Sequence, residues 1–96
     1  MLAKQELEQK LIYLKPILSQ KYHITEIGYF GSFANGTANE NSDIDIVIAY
    51  DKALGWEFFD IQDLLHEQLN MKVDLVTIKA LKKQLKDKIL LQTIFV

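Results

Sequence analysis

Asp43-Ile44-Asp45-Ile46-Val47-Ile48 constrains this chain more than any other stretch, because isoleucines and aspartates alternate along it. Successive side chains of an extended strand point to opposite faces, so Ile44, Ile46 and Ile48 go to a core and Asp43 and Asp45 stand together on the other side. Neighbouring carboxylates repel, which raises the pKa of at least one unless a cation neutralises them. A divalent metal meets that need. Oxygen-only donors that leave positions open for water and phosphate suit Mg²⁺. The same alternation also permits a strand with one solvated face, so the pair alone does not decide between the two.

The chain has 96 residues, enough for one domain, 1–96, with a single core and little room for a separate substrate-binding domain. A second substrate is therefore expected to be another macromolecule or something small. The net charge of −2 argues against general nucleic-acid binding, since no overall basic field draws in a polyanion. With no cysteine, disulfides, thiolate catalysis and zinc–thiolate sites are excluded. The amino terminus lacks a signal pattern and no apolar run approaches membrane-spanning length, so a soluble cytoplasmic protein without membrane association is expected.

Lys4 to Lys21 places Leu7, Leu11, Leu14 and Leu18 at helical spacing, the pattern of an amphipathic helix covering a sheet. Pro16 predicts a kink or break near Tyr13 to Lys15. Thr25 to Phe30 reads as a strand ending against Gly31. Gly31-Ser32 then turns the chain. Glycine lets backbone approach a ligand closely, and Ser32 offers an N–H and a hydroxyl to a phosphate oxygen; a short helix over Ser32 to about Asn35 would add further free N–H groups. A plain turn with Ser32 as N-cap is the alternative.

A polar loop follows, and Asp43 to Tyr50 is the central strand. Trp56 to Leu69 reads as a helix with Phe58, Ile61, Leu65 and Leu69 on one stripe, Asn70 as its stop, and Trp56 packing at its start. His23 and His66 are assigned no ligand role. Met71 to Thr77 is the third strand, with Val73 and Leu75 on one face and Lys72, Asp74 and Val76 on the other. Burying Asp74 unpaired would be costly, so it lies at a strand end in water or faces a site. If this strand lies beside the second, Asp74 becomes a third ligand. Leu81, Leu85 and Ile89 mark a final lysine-rich helix to about Leu91, and Ile94-Phe95-Val96 is expected to pair as a short strand or pack on a partner.

Gly31-Ser32, the Ser42-Asp43-Ile44-Asp45 string and Val73-Asp74-Leu75-Val76 together resemble the nucleotidyltransferase superfamily of DNA polymerase beta, and the length resembles its minimal nucleotidyltransferases. That resemblance implies an α/β (α+β) fold, a small mixed β-sheet with helices packed on one face and an open catalytic edge. It implies that Asp43, Asp45 and Asp74 are catalytic and hold two Mg²⁺ ions on ATP. It further implies that Gly31 and Ser32 grip the outer phosphates, and that Asp74 is the base for an acceptor hydroxyl attacking the α-phosphate. One departure stands out. The family usually carries a basic residue where this chain has Asn35, which can hydrogen-bond a phosphate but adds no charge.

Many proteins resembling this one are antitoxins that silence a helical HEPN ribonuclease toxin by adding AMP to a tyrosine, and a small transferase acting on a protein acceptor needs no acceptor domain of its own. Exposed apolar residues of the tail are expected to supply the docking surface, with homo- or hetero-oligomer formation left open. Two alternatives differ in class. One is an inactive binding module that neutralises its partner by contact, which Asn35 favours and the intact aspartate set opposes. The other is nucleotidyl transfer to a small molecule such as an aminoglycoside, for which relatives generally carry an extra domain.

Overall fold

Four leucines spaced three and four apart, Leu7, Leu11, Leu14 and Leu18, are the residues that α1 (Lys4–Tyr22) buries. Each stabilises the fold by about 1.5–3 kcal/mol relative to an exposed side chain. The computed structural model describes residues 2–96. After α1 come β1 (Ile24–Phe30), α2 (Ser32–Asn35), β2 (Ile44–Tyr50), α3 (Glu57–Leu69), β3 (Val73–Thr77), a 3₁₀ turn (Ile78–Ala80), α4 (Lys83–Gln92) and β4 (Ile94–Phe95).

Of the kink or break expected near Tyr13 to Lys15, the break is absent, for α1 runs unbroken through Pro16. The reason is where the proline falls. Pro16 and Ile12, the residue whose carbonyl loses its partner, both lie on the exposed face, where water can take over that bond. The buried leucines on either side of Pro16 hold both halves against the sheet.

The four strands lie in the order β3-β2-β1-β4. β1 pairs antiparallel with β2 and with β4, whereas β2 and β3 are parallel, so the sheet is mixed. α1 packs on β1, α3 packs on β3, and the two helices touch each other. Between them and the sheet lies one core that includes Ile27 and Tyr29 of β1, Ile44, Ile46 and Ile48 of β2, Ile61 and Leu65 of α3, and Val73 and Leu75 of β3. The Tyr29 hydroxyl, at the buried end of this core, donates to the Glu8 carboxylate of α1. Burial and that carboxylate together push the Tyr29 pKa up, keeping the phenol neutral.

Two elements follow expectation at their ends. Asn70 stops α3 in the left-handed conformation, φ 52°, which its short polar side chain tolerates. The tail does pair as a strand, Phe95 opposite Gly28 and Ile94 opposite Tyr29. It is tied further by Val96 N–H donating to the Ile27 carbonyl at 3.0 Å and Lys15 Nζ donating to the Val96 carbonyl at 2.7 Å. Gly28 is what lets it approach, since a Cβ there would sit 2.7 Å from Thr93 Cγ2 and 2.9 Å from the Ile94 carbonyl oxygen.

Two others depart from it. Trp56 does not pack at the start of α3; it is 83% exposed, its ring centroid 5.9 Å from that of Phe59. The apolar stripe of α3 turns inward at Ile61, and Trp56 lies more than a turn outside it. The final helix forms, but Leu81 precedes it and none of its residues is fully buried; Leu85 is 49% and Leu91 88% exposed. No helix among the described residues is long and apolar enough to cross a membrane.

Candidate functional site

Parallel pairing of β2 with β3 sets Asp45 directly opposite Asp74, with Ile44 opposite Val73 and Ile46 opposite Leu75. Directly opposed residues of a ladder point to the same face. The carboxylates therefore share the face turned away from the isoleucine core. The Ile44 N–H donates to the Lys72 carbonyl at 2.9 Å, which aligns the leading ends of the two strands. Asp43 sits one residue ahead of β2 rather than inside it, at the mouth of this face.

Asp45 feels the other two carboxylates. The Asp45 carboxyl is pushed above the ordinary aspartate range, first by burial and then by the negative charges of Asp74 and Asp43. Asp43 and Asp74 are more exposed, so Asp45 is the member that burial penalises. Among the described residues the three aspartates do not close into a ready-made cage of ligands. They are brought onto one face as mutually repelling neighbours, an arrangement that a bound cation would relieve.

Gly31 is part of the same construction. It occupies the N-cap position of α2 with φ 70° and ψ −145°, backbone that residues with a Cβ rarely adopt. A Cβ there would lie 2.2 Å from Asp45 Oδ2. The glycine thus serves two needs at once, the turn out of β1 and the space that the Asp45 carboxylate fills. Since Gly31 and not Ser32 holds the N-cap position, and no side-chain bond closes the cap, the Ser32 hydroxyl is not spent on capping. The Ala34 and Asn35 N–H groups both donate to the Gly31 carbonyl at 3.1 Å, folding the turn tightly over this end of the sheet.

Asn35 ends α2 as an exposed side chain. Its carbonyl oxygen accepts from the Thr37 N–H at 3.0 Å and the Thr37 hydroxyl at 2.6 Å, which leaves the amide NH₂ as its free donor. Among the described residues the cation drawn to the cluster is Lys72, whose Nζ lies 3.9 Å from Asp43 Oδ2. Sequence reasoning placed Lys72 on the Asp74 face and gave it no role; its spacing of two from Asp74 was the available signal. An apolar groove of about 340 Å³ lined by Tyr50, Leu54, Phe58 and Thr77 opens at the opposite ends of β2 and β3, remote from the aspartates.

Residues 11–96 match the nucleotidyltransferase domain family. The protein adenylyltransferase MntA of Thermococcus cleftensis is 32% identical over 97 aligned positions, which cover 100% of this chain and 98% of that protein. Among solved structures, a minimal nucleotidyltransferase superposes with a TM-score of 0.85 at 22% identity, over 97% of this chain and 95% of that one. A toxin–antitoxin crystallised with AMP-PNP superposes with a TM-score of 0.76 at 29% identity, over 92% of this chain and 70% of the other.

Proposed function

This chain belongs to the nucleotidyltransferase domain family, and we propose that it transfers AMP from ATP to a tyrosine hydroxyl of a HEPN-type toxin and so acts as that toxin's antitoxin. The observation that carries this reading is the register of Asp45 against Asp74 with Gly31 folded onto the Asp45 carboxylate. The relatives support the acceptor class: MntA is a protein adenylyltransferase, and a toxin–antitoxin with a bound ATP analogue shares this fold.

The donor set fits Mg²⁺, being all-oxygen, partly exposed and electrostatically unfavourable without a cation. Asp43, Asp45 and Asp74 would hold two such ions, which when bound draw negative charge from the phosphates and from the departing pyrophosphate. The chain's own residues do the rest. Gly31 and Ser32 present backbone N–H and hydroxyl donors to the outer phosphates, and the Asn35 amide adds an uncharged donor beside them. Asp74, the more exposed carboxylate on β3, takes the proton of the acceptor hydroxyl. That oxygen forms a bond to the α-phosphorus as the bond from phosphorus to the bridging oxygen breaks in line, and pyrophosphate leaves. The exposed Leu85 and Leu91 of α4 offer apolar surface for docking a protein acceptor.

The absence of charge at Asn35 favours a second reading, a module that neutralises its partner by binding alone. Intact mass spectrometry separates the two. The protein encoded beside this one, purified with it and incubated with ATP and Mg²⁺, gains AMP-sized increments if transfer occurs. It gains none with an Asp43→Asn, Asp45→Asn double variant. Binding without added mass in both cases would leave the module reading standing.

A further inference from the structure

Among the described residues, Lys72, one residue ahead of β3 as Asp43 is one residue ahead of β2, brings a positive side chain to the negative cluster. Its ammonium lies 3.9 Å from Asp43 Oδ2, with the Lys72 side chain 75% and the Asp43 side chain 45% exposed. The other contact between a basic side chain and a carboxylate among the described residues, His23 Nδ1 with Asp51, is elsewhere. The turn of α2, Ser32 to Asn35, carries no charged side chain, and the Asn35 carbonyl is occupied by Thr37. We propose that Lys72 is a positioning residue with two stations: counter-ion to Asp43 in the metal-free protein, and cation to the ATP polyphosphate once Asp43 is taken by Mg²⁺.

Charge and reach both suit Lys72 to the two stations. A compact ammonium on a flexible four-carbon stem can leave one anion for another without moving backbone. The Lys72 backbone is fixed at the head of β3 by the bond its carbonyl accepts from Ile44, so only the side chain moves. The pair is solvent-exposed and therefore weak, which suits a partner that has to be displaced. Lys72 then restores at β3 the positive charge that α2 lacks. The polyphosphate half of this inference rests on the transferase reading; the counter-ion half does not.

The test titrates metal-free wild type, Lys72→Met and Lys72→Arg with Mg²⁺ alone by calorimetry, then with the non-hydrolysable analogue AMP-PNP at saturating Mg²⁺. Lys72 is on the surface, and melting curves establish that the variants fold. Without its competitor, Lys72→Met binds Mg²⁺ about two- to fivefold more tightly, the range an exposed ion pair supports. The same variant binds AMP-PNP about tenfold more weakly, as expected for loss of a charge-assisted contact. Lys72→Arg follows wild type in both. The two effects of Lys72→Met have opposite signs, which a general loss of structure cannot produce, and raising the salt shrinks both. Unchanged or weaker Mg²⁺ binding by Lys72→Met, or unchanged AMP-PNP binding, overturns the assignment of Lys72 while wild-type metal and nucleotide binding leave the transferase reading intact. A wild type that binds neither overturns both.

Discussion

Around Asp45 the two faces of β2 have opposite energetic signs, although farther along the strand Val47, on the Asp45 side, is itself fully buried. Ile44, Ile46 and Ile48 are completely buried and stabilise the fold through apolar contact with α1 and α3. Asp45, pointing the other way, is partly buried beside two like charges with its carboxyl pKa raised, so in the metal-free protein it opposes folding. The strand cannot be optimised on both sides at once. Its apolar face anchors the backbone that holds the repelling carboxylates in register, a case of stability spent at a functional site.

The comparison can be broken most forcefully from the apolar side. Ile46→Ala removes a fully buried side chain from the core, and chemical denaturation should show a loss of about 2–5 kcal/mol. From the opposite side, Asp45→Asn should reduce AMP transfer by about 10²–10³-fold, as for loss of one electrostatic stabiliser. In metal-free buffer near neutral pH the same variant should melt higher than wild type. A lower melting point would show that the repulsion is already relieved by something other than a metal. Gly31→Ala puts a Cβ into left-handed backbone and against Asp45 Oδ2, and should cost about 1–3 kcal/mol while also lowering transfer.

A pH titration sharpens the contrast further. The folded-state Asp45 pKa is raised above its unfolded value, so the native state binds the extra proton and this group's contribution is fully present at acid pH. It is lost as pH rises from the ordinary aspartate range through the raised value. Metal-free protein should lose stability across that window, saturating Mg²⁺ should restore it above the window, and Asp45→Asn should flatten the slope. The smallest stability effect belongs to the surface. Leu91→Lys, at a side chain 88% exposed, should change stability by less than about 0.5 kcal/mol, yet weaken association with the acceptor protein in a direct binding assay.

Legibility differed from residue to residue for physical reasons. The burial of Leu7, Leu11, Leu14 and Leu18 followed from their spacing, since each lies three or four positions from the next. Leu81, Leu85 and Ile89 repeat at the same helical spacing, yet α4 buries nothing fully; periodicity reports which side chains share a face and not whether anything covers it. Pro16 misled because the cost of a mid-helix proline depends on whether the orphaned carbonyl faces water, which position in the chain does not say. Trp56 misled because large apolar area is usually buried, and its exposure depends on where the stripe of α3 turns.

Within the site, alternation alone determined that Asp45 stands opposite the isoleucine face, because a period of two is a property of any extended strand. The residue types at Gly31 and Ser32 likewise determined a short turn, and the resemblance to the family marked Asn35 as lacking the usual charge. Only the tertiary structure decided that β3 lies beside β2, in parallel, with Asp74 across from Asp45. It also decided that Gly31 closes on the Asp45 carboxylate and that Lys72 lies beside Asp43. Pairing partner, direction and register depend on contacts between residues far apart in the chain. Those contacts are set by how the whole apolar face packs under α1 and α3, and no local pattern encodes them.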